Sequence, residues 1–228
     1  MISHPLPLYS DLNLPCLRWQ DIHSAPSLTA QSILDKCLGN CIDLSVFFLC
    51  SNESGIHNHV KDFDTNGVVY ALAKRGPNST QTRIIATRSS DEEGKASDIL
   101  ENRVDREIVS GTKAEEKSWW CVDLTENNAL YLAHYTLRHG HHTFNSFLLN
   151  WQLEGSLDGE SWKTLSRHDS DRSLKGNKRY KTHTWAIDGD YSAFRYFRIL
   201  QTGKNSSGNF GIFLSGIELY GVLIEKGS

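Results

Sequence analysis

A short stretch of alternating residues, followed by a turn signal, constrains the fold of this chain more than any other feature. Leu149, Trp151 and Leu153 are apolar and alternate with amide and carboxylate residues, so an extended backbone puts them on one face of a sheet. The run then breaks at Asp158-Gly159, where glycine tolerates the positive φ that a tight turn requires, and an extended pattern resumes after it. The sequence therefore predicts a β-hairpin with one buried face.

Short predicted strands recur along the chain from Asp62 onward. Turn residues separate them at intervals of about ten positions, a spacing typical of an all-β sandwich. The charged segment 90–117 is predicted to be a loop with one short helix, because Ile99, Leu100 and Val104 have helical spacing. The predicted strands are Val68–Ala73, Arg83–Thr87, Trp119–Leu124, Leu130–Arg138, Leu148–Ser156, Lys163–Arg167, Thr182–Ile187, Phe194–Gln201 and Leu214–Val222.

Residues 1–58 differ from the rest of the chain and are predicted to form an N-terminal extension with one short helix. Ser27 is a suitable cap for that helix, and Gly39 is a suitable stop. The β domain is predicted to cover residues 59–222, with a tail over 223–228. A chain of 228 residues is long enough to bury a core without disulfides or metals.

Charge and composition disfavour several classes of protein. A net charge of −3 argues against broad electrostatic capture of nucleic acid or of anionic lipid. The five cysteines are odd in number and unevenly spaced, which argues against a disulfide framework. No apolar run reaches the roughly 18 residues of a membrane span, and the first residues lack the pattern of a secretory signal. The sequence thus predicts a cytoplasmic or nuclear protein.

Six motifs stand in a fixed order along the chain. They are KDFDTNGVVY (61–70), SWWCVDL (118–124), HYTLRHG (134–140), NWQLEGSLDGESW (150–162), FRYFRILQTGKNSSGN (194–209) and LSGIELYG (214–221). The set resembles the discoidin-like jelly-roll domains, related to the coagulation factor 5/8 C-type module, that occur inside some HECT-type ubiquitin ligases and BTB-domain proteins. Each motif supplies a strand or a turn of the same sandwich, so the ordered set is more specific than any single motif.

The resemblance implies a mainly β fold, a discoidin-like jelly-roll β-sandwich with a short N-terminal helical extension, whose last strand returns beside the first. It implies a non-catalytic intracellular module that binds a protein partner or peptide segment, as part of a ubiquitin-ligase-related assembly. The alternative is a carbohydrate- or anionic-lipid-binding discoidin-type module. A further hypothesis is docking against neighbouring domains of a larger chain. The segment 71–90 departs from the family's usual Gly- and Asn-Pro-rich loop, so the identity of the ligand does not carry over.

The loops at one end of such a sandwich are the predicted recognition surface, because loops vary while a rigid scaffold positions them. Arg138 ends a predicted strand, where its guanidinium either braces a loop carbonyl, which is favoured, or meets an anionic ligand. The loop 204–209 joins two apolar strands and is too long for a minimal turn. The predicted ligand-binding residues are Arg138, His139, Asp169, Lys204, Asn205 and Phe210.

The polar clusters favour structural roles over metal binding. The run RHGHH at 138–142 holds three histidines, but no carboxylate or thiol stands nearby at ligand spacing. Asp62, Asp64 and Asn66 could supply oxygen ligands to calcium, yet the complete calcium-loop motif is missing and turn capping is favoured. The sequence therefore predicts no metal site and no cofactor.

The sequence also predicts that the chain is not an enzyme. Cys121 and His134 stand one strand apart, but a mid-strand cysteine between bulky residues lacks the exposed, electropositive setting of a nucleophile. Asp158 and Glu160 belong to the predicted hairpin turn, where turn capping explains them better than acid–base chemistry. The basic run 172–181 is predicted to be a solvated loop, with contact to phosphate or an acidic segment as the alternative.

Overall fold

The computed structural model describes residues 55–74, 84–101, 109–141, 145–176, 180–187 and 192–225. The predicted helix near Ser27 and most of the predicted extension lie outside these residues. Within these ranges, the α-helix α1 covers Val68–Ala73, and a 3₁₀ helix covers Ala96–Leu100. The strands are β1 (Gly55–His57), β2 (Ile85–Arg88), β3 (Trp119–Asp123), β4 (Asn128–His139), β5 (Trp151–Ser156), β6 (Lys163–His168), β7 (Thr182–Ala186), β8 (Ala193–Phe194), β9 (Tyr196–Gln201) and β10 (Leu214–Glu225).

Two five-stranded antiparallel sheets form the described part of the chain. The first sheet has the order β1-β10-β4-β7, with β8 paired to β4, and the second has the order β2-β3-β9-β5-β6. β1 pairs with β10, so the first and the last described strands lie side by side. The resemblance implied that the last strand returns beside the first, but the strand that pairs with β10 here is Gly55–His57 and not the predicted Val68–Ala73. β1 lies within residues 1–58, which were predicted to form the extension.

The core lies between the sheets and follows the period-two pattern of the strands. In the second sheet, Trp120 and Val122 of β3 and Phe197 and Ile199 of β9 are almost completely buried. Trp120 pairs with Ile199, and Val122 pairs with Phe197, so their side chains share the inner face. The intervening residues of the same strands therefore point away from the core.

The predicted hairpin is confirmed. β5 and β6 pair antiparallel, and Trp151 and Leu153 are fully buried. Gly159 adopts a φ of 78°, a conformation that favours glycine. The carboxylate of Asp158 accepts the N–H groups of Ser161 and Glu160 at 2.7 and 2.8 Å, and these hydrogen bonds hold its pKa well below the usual range. Asp158 is therefore a turn-capping residue.

The prediction of a strand over Val68–Ala73 is wrong, because these residues form α1. A short apolar run has no period that distinguishes a buried strand from a buried helix. The deciding partner is Glu218, whose carboxylate accepts the first helical N–H groups, of Val69 at 2.7 Å and Tyr70 at 3.1 Å. Glu218 follows Val69 by 149 residues and Tyr70 by 148 residues, so no local pattern could show this partner. Gly67 permits the approach, since a Cβ there would overlap the Glu218 carboxyl group.

The other predicted strands coincide with observed ones, with ends that differ by a few residues. The predicted strand 194–201 is divided, because Phe194 belongs to β8 in the first sheet and β9 belongs to the second. Ile99 is buried in the 3₁₀ helix, within the segment that was predicted to be a loop with one short helix. Val104 lies outside the described residues.

Candidate recognition surface at the loop end

The strand directions place four connections at one end of the sandwich, which we call the loop end. They are the described parts of 89–118, 140–150, 169–181 and 202–213. Strand ends meet there in the pairs His139 with Leu214 and Trp151 with Gln201. β1 begins and β10 ends at the opposite end. The chain therefore enters and leaves the sandwich away from the loop end.

Hydrogen bonds tie the loops of this end to one another. Asn150 donates its side-chain N–H to the carbonyl of Lys204 at 2.8 Å and accepts the N–H of Ser170 at 2.9 Å, so it links two loops. The N–H of Phe147 donates to the Ser206 hydroxyl at 3.1 Å. The N–H of Ser206 donates to the Phe147 carbonyl at 3.0 Å. The N–H of Ile212 donates to the Thr112 hydroxyl at 3.0 Å, which joins the connection 89–118 to the others. The loop end is thus a cross-linked platform rather than four independent loops.

Asn205 shapes the loop 202–213 from inside. It is only 3% exposed, and its side-chain oxygen accepts the N–H groups of Ser207 at 3.1 Å and Asn209 at 3.2 Å. Its side-chain N–H donates to the carbonyl of Gly211 at 3.4 Å. Lys204, in contrast, is exposed. Adjacent residues of the predicted site therefore have different positions, one buried within the loop and one on its surface.

Arg138 is buried on the outer face of the first sheet, with a relative exposure of 1%. Its guanidinium donates to the Ser215 carbonyl at 2.7 Å, to the Ser215 hydroxyl at 3.1 Å and to the Glu101 carbonyl at 3.1 Å. The ring of Phe63 covers it at 4.7 Å. Burial lowers the pKa of Arg138 to about 10, so it remains charged at neutral pH. This arrangement matches the bracing role that the sequence favoured.

The six predicted ligand-binding residues fall into two groups. Arg138, His139 and Asn205 are almost completely buried. Asp169 and Lys204 are exposed, and Phe210 is half-buried. Asp169 pairs with Arg167 at 3.2 Å at the surface, where such a pair contributes little to stability. Binding by the six stays a prediction, and the second group is the one that a ligand would meet first.

Asp64 caps the turn that precedes α1. Its carboxylate accepts the N–H groups of Val60 at 2.9 Å, Lys61 at 3.1 Å and Asn66 at 2.9 Å. Asp62, the other carboxylate of the calcium hypothesis, accepts the hydroxyl of Thr184 at 2.6 Å. In the part of the chain that the structure describes, no three His, Cys, Asp or Glu side chains are grouped to hold a metal.

Cys121 and His134 do not come together. Cys121 lies on the outer face of the second sheet, in register with Arg198. Burial raises the pKa of its thiol to about 12, so the reactive thiolate is not populated at neutral pH. His134 lies on the outer face of the first sheet, where it stacks on His59 with ring centroids 5.5 Å apart. The two side chains are thus on opposite sides of the sandwich.

Sequence reasoning missed a polar network between the sheets. His168 contacts the Asp171 carboxylate through Nδ1 at 2.8 Å. Its Nε2 lies 2.7 Å from the Tyr135 hydroxyl and 2.9 Å from the Ser166 hydroxyl. Its ring stacks on Trp151 at 4.2 Å. Burial lowers the pKa of His168 and so favours the neutral ring, which donates to Asp171 and accepts from Tyr135.

This network joins Tyr135 of the first sheet to β6 of the second, so it fixes the sheets relative to each other. Ser166, His168 and Asp171 follow the order of bonds in a serine hydrolase, but here the imidazole Nε2 is shared with the Tyr135 hydroxyl. Ser166 and His168 alternate along one strand, which gives no sequence signal beyond ordinary strand patterning. The distant partner Tyr135 is visible only in the fold.

Comparison with known proteins agrees with this architecture. Residues 85–214, more than half of the chain, match the F5/8 type C domain. Over 184 residues, 74% of this chain, it is 34% identical to the E3 ubiquitin-protein ligase Ufd4 of Drosophila melanogaster. Over 180 residues, 73% of the chain, it is 33% identical to the E3 ubiquitin-protein ligase hecd-1 of Caenorhabditis elegans. A BTB/POZ domain-containing protein of Arabidopsis thaliana is 26% identical over 177 residues, 72% of this chain and 22% of its own length.

The chain spans 6% of the length of each of the two ligases. Solved structures with a similar fold include a family 32 carbohydrate-binding module of Clostridium perfringens in complex with GalNAc-β-1,3-galactose. It is 15% identical to this chain with a TM-score of 0.47, and the match covers 60% of this chain and 94% of that module. A fucolectin of striped bass matches at 17% identity and a TM-score of 0.48, over 60% and 46% of the two chains.

None of the helices in the described ranges is long and apolar enough to cross a membrane. The two antiparallel sheets and the family match confirm the predicted mainly β, discoidin-like jelly roll. The order of the six motifs is the sequence signal that identified it. On these grounds the chain belongs to the F5/8 type C domain family.

Proposed function

We propose that this chain is a non-catalytic recognition module whose loop end binds a protein segment, as part of a ubiquitin-ligase-related assembly. One observation carries the proposal. The four loops of the loop end are bonded to one another, and they face away from the end where β1 begins and β10 ends. A binding surface in that position stays accessible when the module is joined to other domains.

The surface chemistry of the loop end suits a protein partner. Asp169 and Lys204 supply charges of both signs, and the half-buried Phe210 supplies an aromatic ring. Aromatic anchors surrounded by polar groups are typical of protein interfaces. The cross-bonded loops hold these side chains in place before binding, which lowers the entropic cost of association.

The relatives support the place of the module in a larger assembly. Two of them are named E3 ubiquitin-protein ligases, and each is far longer than this chain. A domain that occupies 6% of such a protein is one part among many, which fits recognition rather than the transfer chemistry itself. The proposed compartment is the cytoplasm or the nucleus, where ubiquitin ligation takes place.

The proposed lack of catalysis is supported by the positions of the side chains that were the candidate catalytic residues in the sequence. The Cys121 thiol is held protonated, and His134 lies on the other side of the sandwich. The carboxylate of Asp158 accepts hydrogen bonds from the N–H groups of Glu160 and Ser161 in the turn. Cys121 and His134 therefore do not form a nucleophile–base pair, and Asp158 acts as a turn cap.

The test is quantitative affinity capture with three forms of the chain: wild type, a loop-end variant with Lys204→Glu and Phe210→Ala, and a control with Glu160→Lys. Glu160 is an exposed residue of the β5–β6 turn, at the opposite end. The proposal expects the wild type and the control to capture the same defined set of proteins. The captured amount of each should fall at least about tenfold on the loop-end variant. Equal capture by all three forms would contradict it.

A glycan array and liposomes of anionic lipid, probed with the same three forms, test the alternative ligands. Binding to glycan or lipid that is lost in the loop-end variant, without any protein capture, would make the chain a carbohydrate- or lipid-binding module. Thermal unfolding of the three forms verifies that the substitutions leave the fold intact.

A further inference from the structure

The outer face of the second sheet carries an open pocket that is separate from the loop end. It lies across β2, β3, β9 and the turn between β5 and β6, and it has a volume of about 230 Å³. The residues that matter for its chemistry are Ile85, Thr87, Trp119, Trp162, Tyr196 and Arg198. Trp162 belongs to the turn, and the other side chains come from the outward positions of their strands, opposite to the buried Trp120 and Phe197.

Two charged side chains line the pocket, Asp123 and Arg198, and each is already paired with a neighbour outside the lining. Arg198 contacts the Glu154 carboxylate at 2.6 Å, and its guanidinium lies 3.8 Å above the ring centroid of Trp162. Arg195 donates to both carboxylate oxygens of Asp123, at 2.6 and 2.8 Å. A charged ligand would have to displace one of these pairs. The pocket is therefore complementary to an uncharged group.

The size and lining of the pocket indicate a single large apolar side chain. Sites for drug-sized ligands are usually about 300–1,000 Å³, so this pocket is smaller than a typical small-molecule site. Trp119, Trp162 and Tyr196 are all partly exposed around it. Trp, Tyr and Arg are the residue types most enriched where protein interfaces gain their affinity.

The edge of the sheet beside the pocket is suited to an extended partner. Among the described strands, β2 pairs with β3 alone, so its other side is an edge of the sheet. Ile85 is 45% exposed at this edge, one of two large apolar side chains in the described residues with such exposure. An edge strand of this kind is a template for a further strand, and recognition by strand addition uses alternate side chains for specificity.

We propose that this face binds an extended peptide segment that runs beside β2 and inserts one large, uncharged apolar side chain into the pocket. Edge pairing supplies backbone hydrogen bonds, and the pocket selects the side chain. Because the pocket lies on a sheet face rather than among the loops, the interaction is independent of binding at the loop end. The two surfaces together would allow the module to hold two segments at once.

The experiment is selection of a phage-displayed library of random 12-residue peptides on the whole 228-residue chain. Binding of the enriched peptides is then measured by fluorescence polarisation against wild type, Ile85→Asp, and a control Val60→Asp. Val60, at 78% exposure, is the other exposed large apolar residue among the described ones. It follows His59, which stacks on His134 at the outer face of the first sheet, so it lies on the opposite side of the sandwich. The proposal expects the enriched peptides to alternate apolar and polar residues, as an extended strand does. Their affinity should fall at least about tenfold for Ile85→Asp and stay unchanged for Val60→Asp.

A second variant and an NMR readout keep the test decisive if Ile85→Asp alters folding. Thr87→Lys adds a charge at an exposed position of the same strand and is expected to weaken the same peptides. The indole N–H signals of Trp119 and Trp162 should shift on titration, whereas Lys204→Glu at the loop end should leave the affinity unchanged.

The proposal is overturned if no peptide is enriched, or if Val60→Asp weakens binding as much as Ile85→Asp. It is also overturned if the peptides lose affinity only in the loop-end variant, or if the two indole signals respond to oligosaccharides and not to peptides. Failure of the loop-end proposal would leave these results unchanged, so the two proposals fail separately.

Discussion

On the outer face of the first sheet, residues 58–74 cover the strands, whereas on the outer face of the second sheet aromatic side chains remain partly exposed. We call these the covered face and the open face. On the covered face, Phe63 lies over Arg138 and α1 is anchored to Glu218. On the open face, Trp119 and Trp162 border the pocket.

The faces differ in how their charges are satisfied. On the covered face, Glu218 accepts backbone N–H groups and Arg138 donates to backbone carbonyls, so each buried ionisable side chain holds a segment of chain in place. On the open face, Arg198 of β9 pairs with Glu154 of β5 across neighbouring strands, and the pair needs no covering segment. A buried ionisable side chain bonded to backbone therefore specifies a covering segment, while a lateral ion pair leaves the face available to a partner.

The strongest way to break this comparison is Glu218→Ala. The substitution leaves the N–H groups of Val69, Tyr70 and Leu219 without their acceptor in the interior. We expect the free energy of unfolding to fall by about 3 kcal/mol, measured by urea denaturation. Glu160→Ala, at an exposed position, is the matched control. If the free energy of unfolding falls no more in Glu218→Ala than in the control, the covering segment does not depend on this carboxylate.

Arg138→Met tests the second anchor of the covered face. Methionine keeps much of the apolar volume but removes the donors to Ser215 and Glu101, so we expect a loss of about 2 kcal/mol in urea denaturation. Affinity for the loop-end partner should change little. A stable Arg138→Met protein that nevertheless loses its partner would instead identify Arg138 as a ligand contact.

The pH dependence of stability gives a third test. Burial raises the pKa of Glu218 to about 8, although the N–H groups that donate to it favour the charged form. The folded state then binds a proton that the unfolded state has released between the ordinary value of 4.5 and about 8, so stability falls as pH rises through this window. We expect a decrease of about 1 kcal/mol or more between pH 5 and 8 in wild type.

Glu218→Gln should remove the contribution of this residue to the pH dependence, because the amide does not titrate. The contribution of His168, whose lowered pKa makes stability rise with pH, should remain. Hydrogen exchange at the amides of Val69 and Tyr70 reports whether α1 is the part that loosens at high pH. Equal slopes of stability against pH in wild type and Glu218→Gln would show that the residue does not titrate in this range.

The smallest effect is expected on the open face. Ile85→Ser removes apolar surface that is already 45% exposed, so the free energy of unfolding should change by less than about 0.5 kcal/mol. Thermal unfolding measures the change, with Val60→Ser as the control. A loss of several kcal/mol would show that β2 is needed for the sandwich itself, and the open face would then be structural.

Much of the fold could be predicted from local pattern. The alternation at Trp151 and Leu153 and the turn at Asp158-Gly159 appear in the structure as the sequence indicated. For the candidate site, the pattern located strand ends and loops but not the direction of each side chain. Lys204 is exposed while Asn205, the next residue, is buried, because backbone N–H groups of its own loop converge on the Asn205 side chain.

The sequence by itself determined the strand faces, the hairpin and the family, because period-two burial and turn chemistry depend on neighbouring residues. Only the tertiary structure decided that Val68–Ala73 is helical, that Arg138 is buried, and that the face around Ile85 is open. Each of these depends on partners far away along the chain, such as Glu218 for α1 and Ser215 for Arg138. The energy of a buried polar group is set by those partners, and no local pattern encodes them.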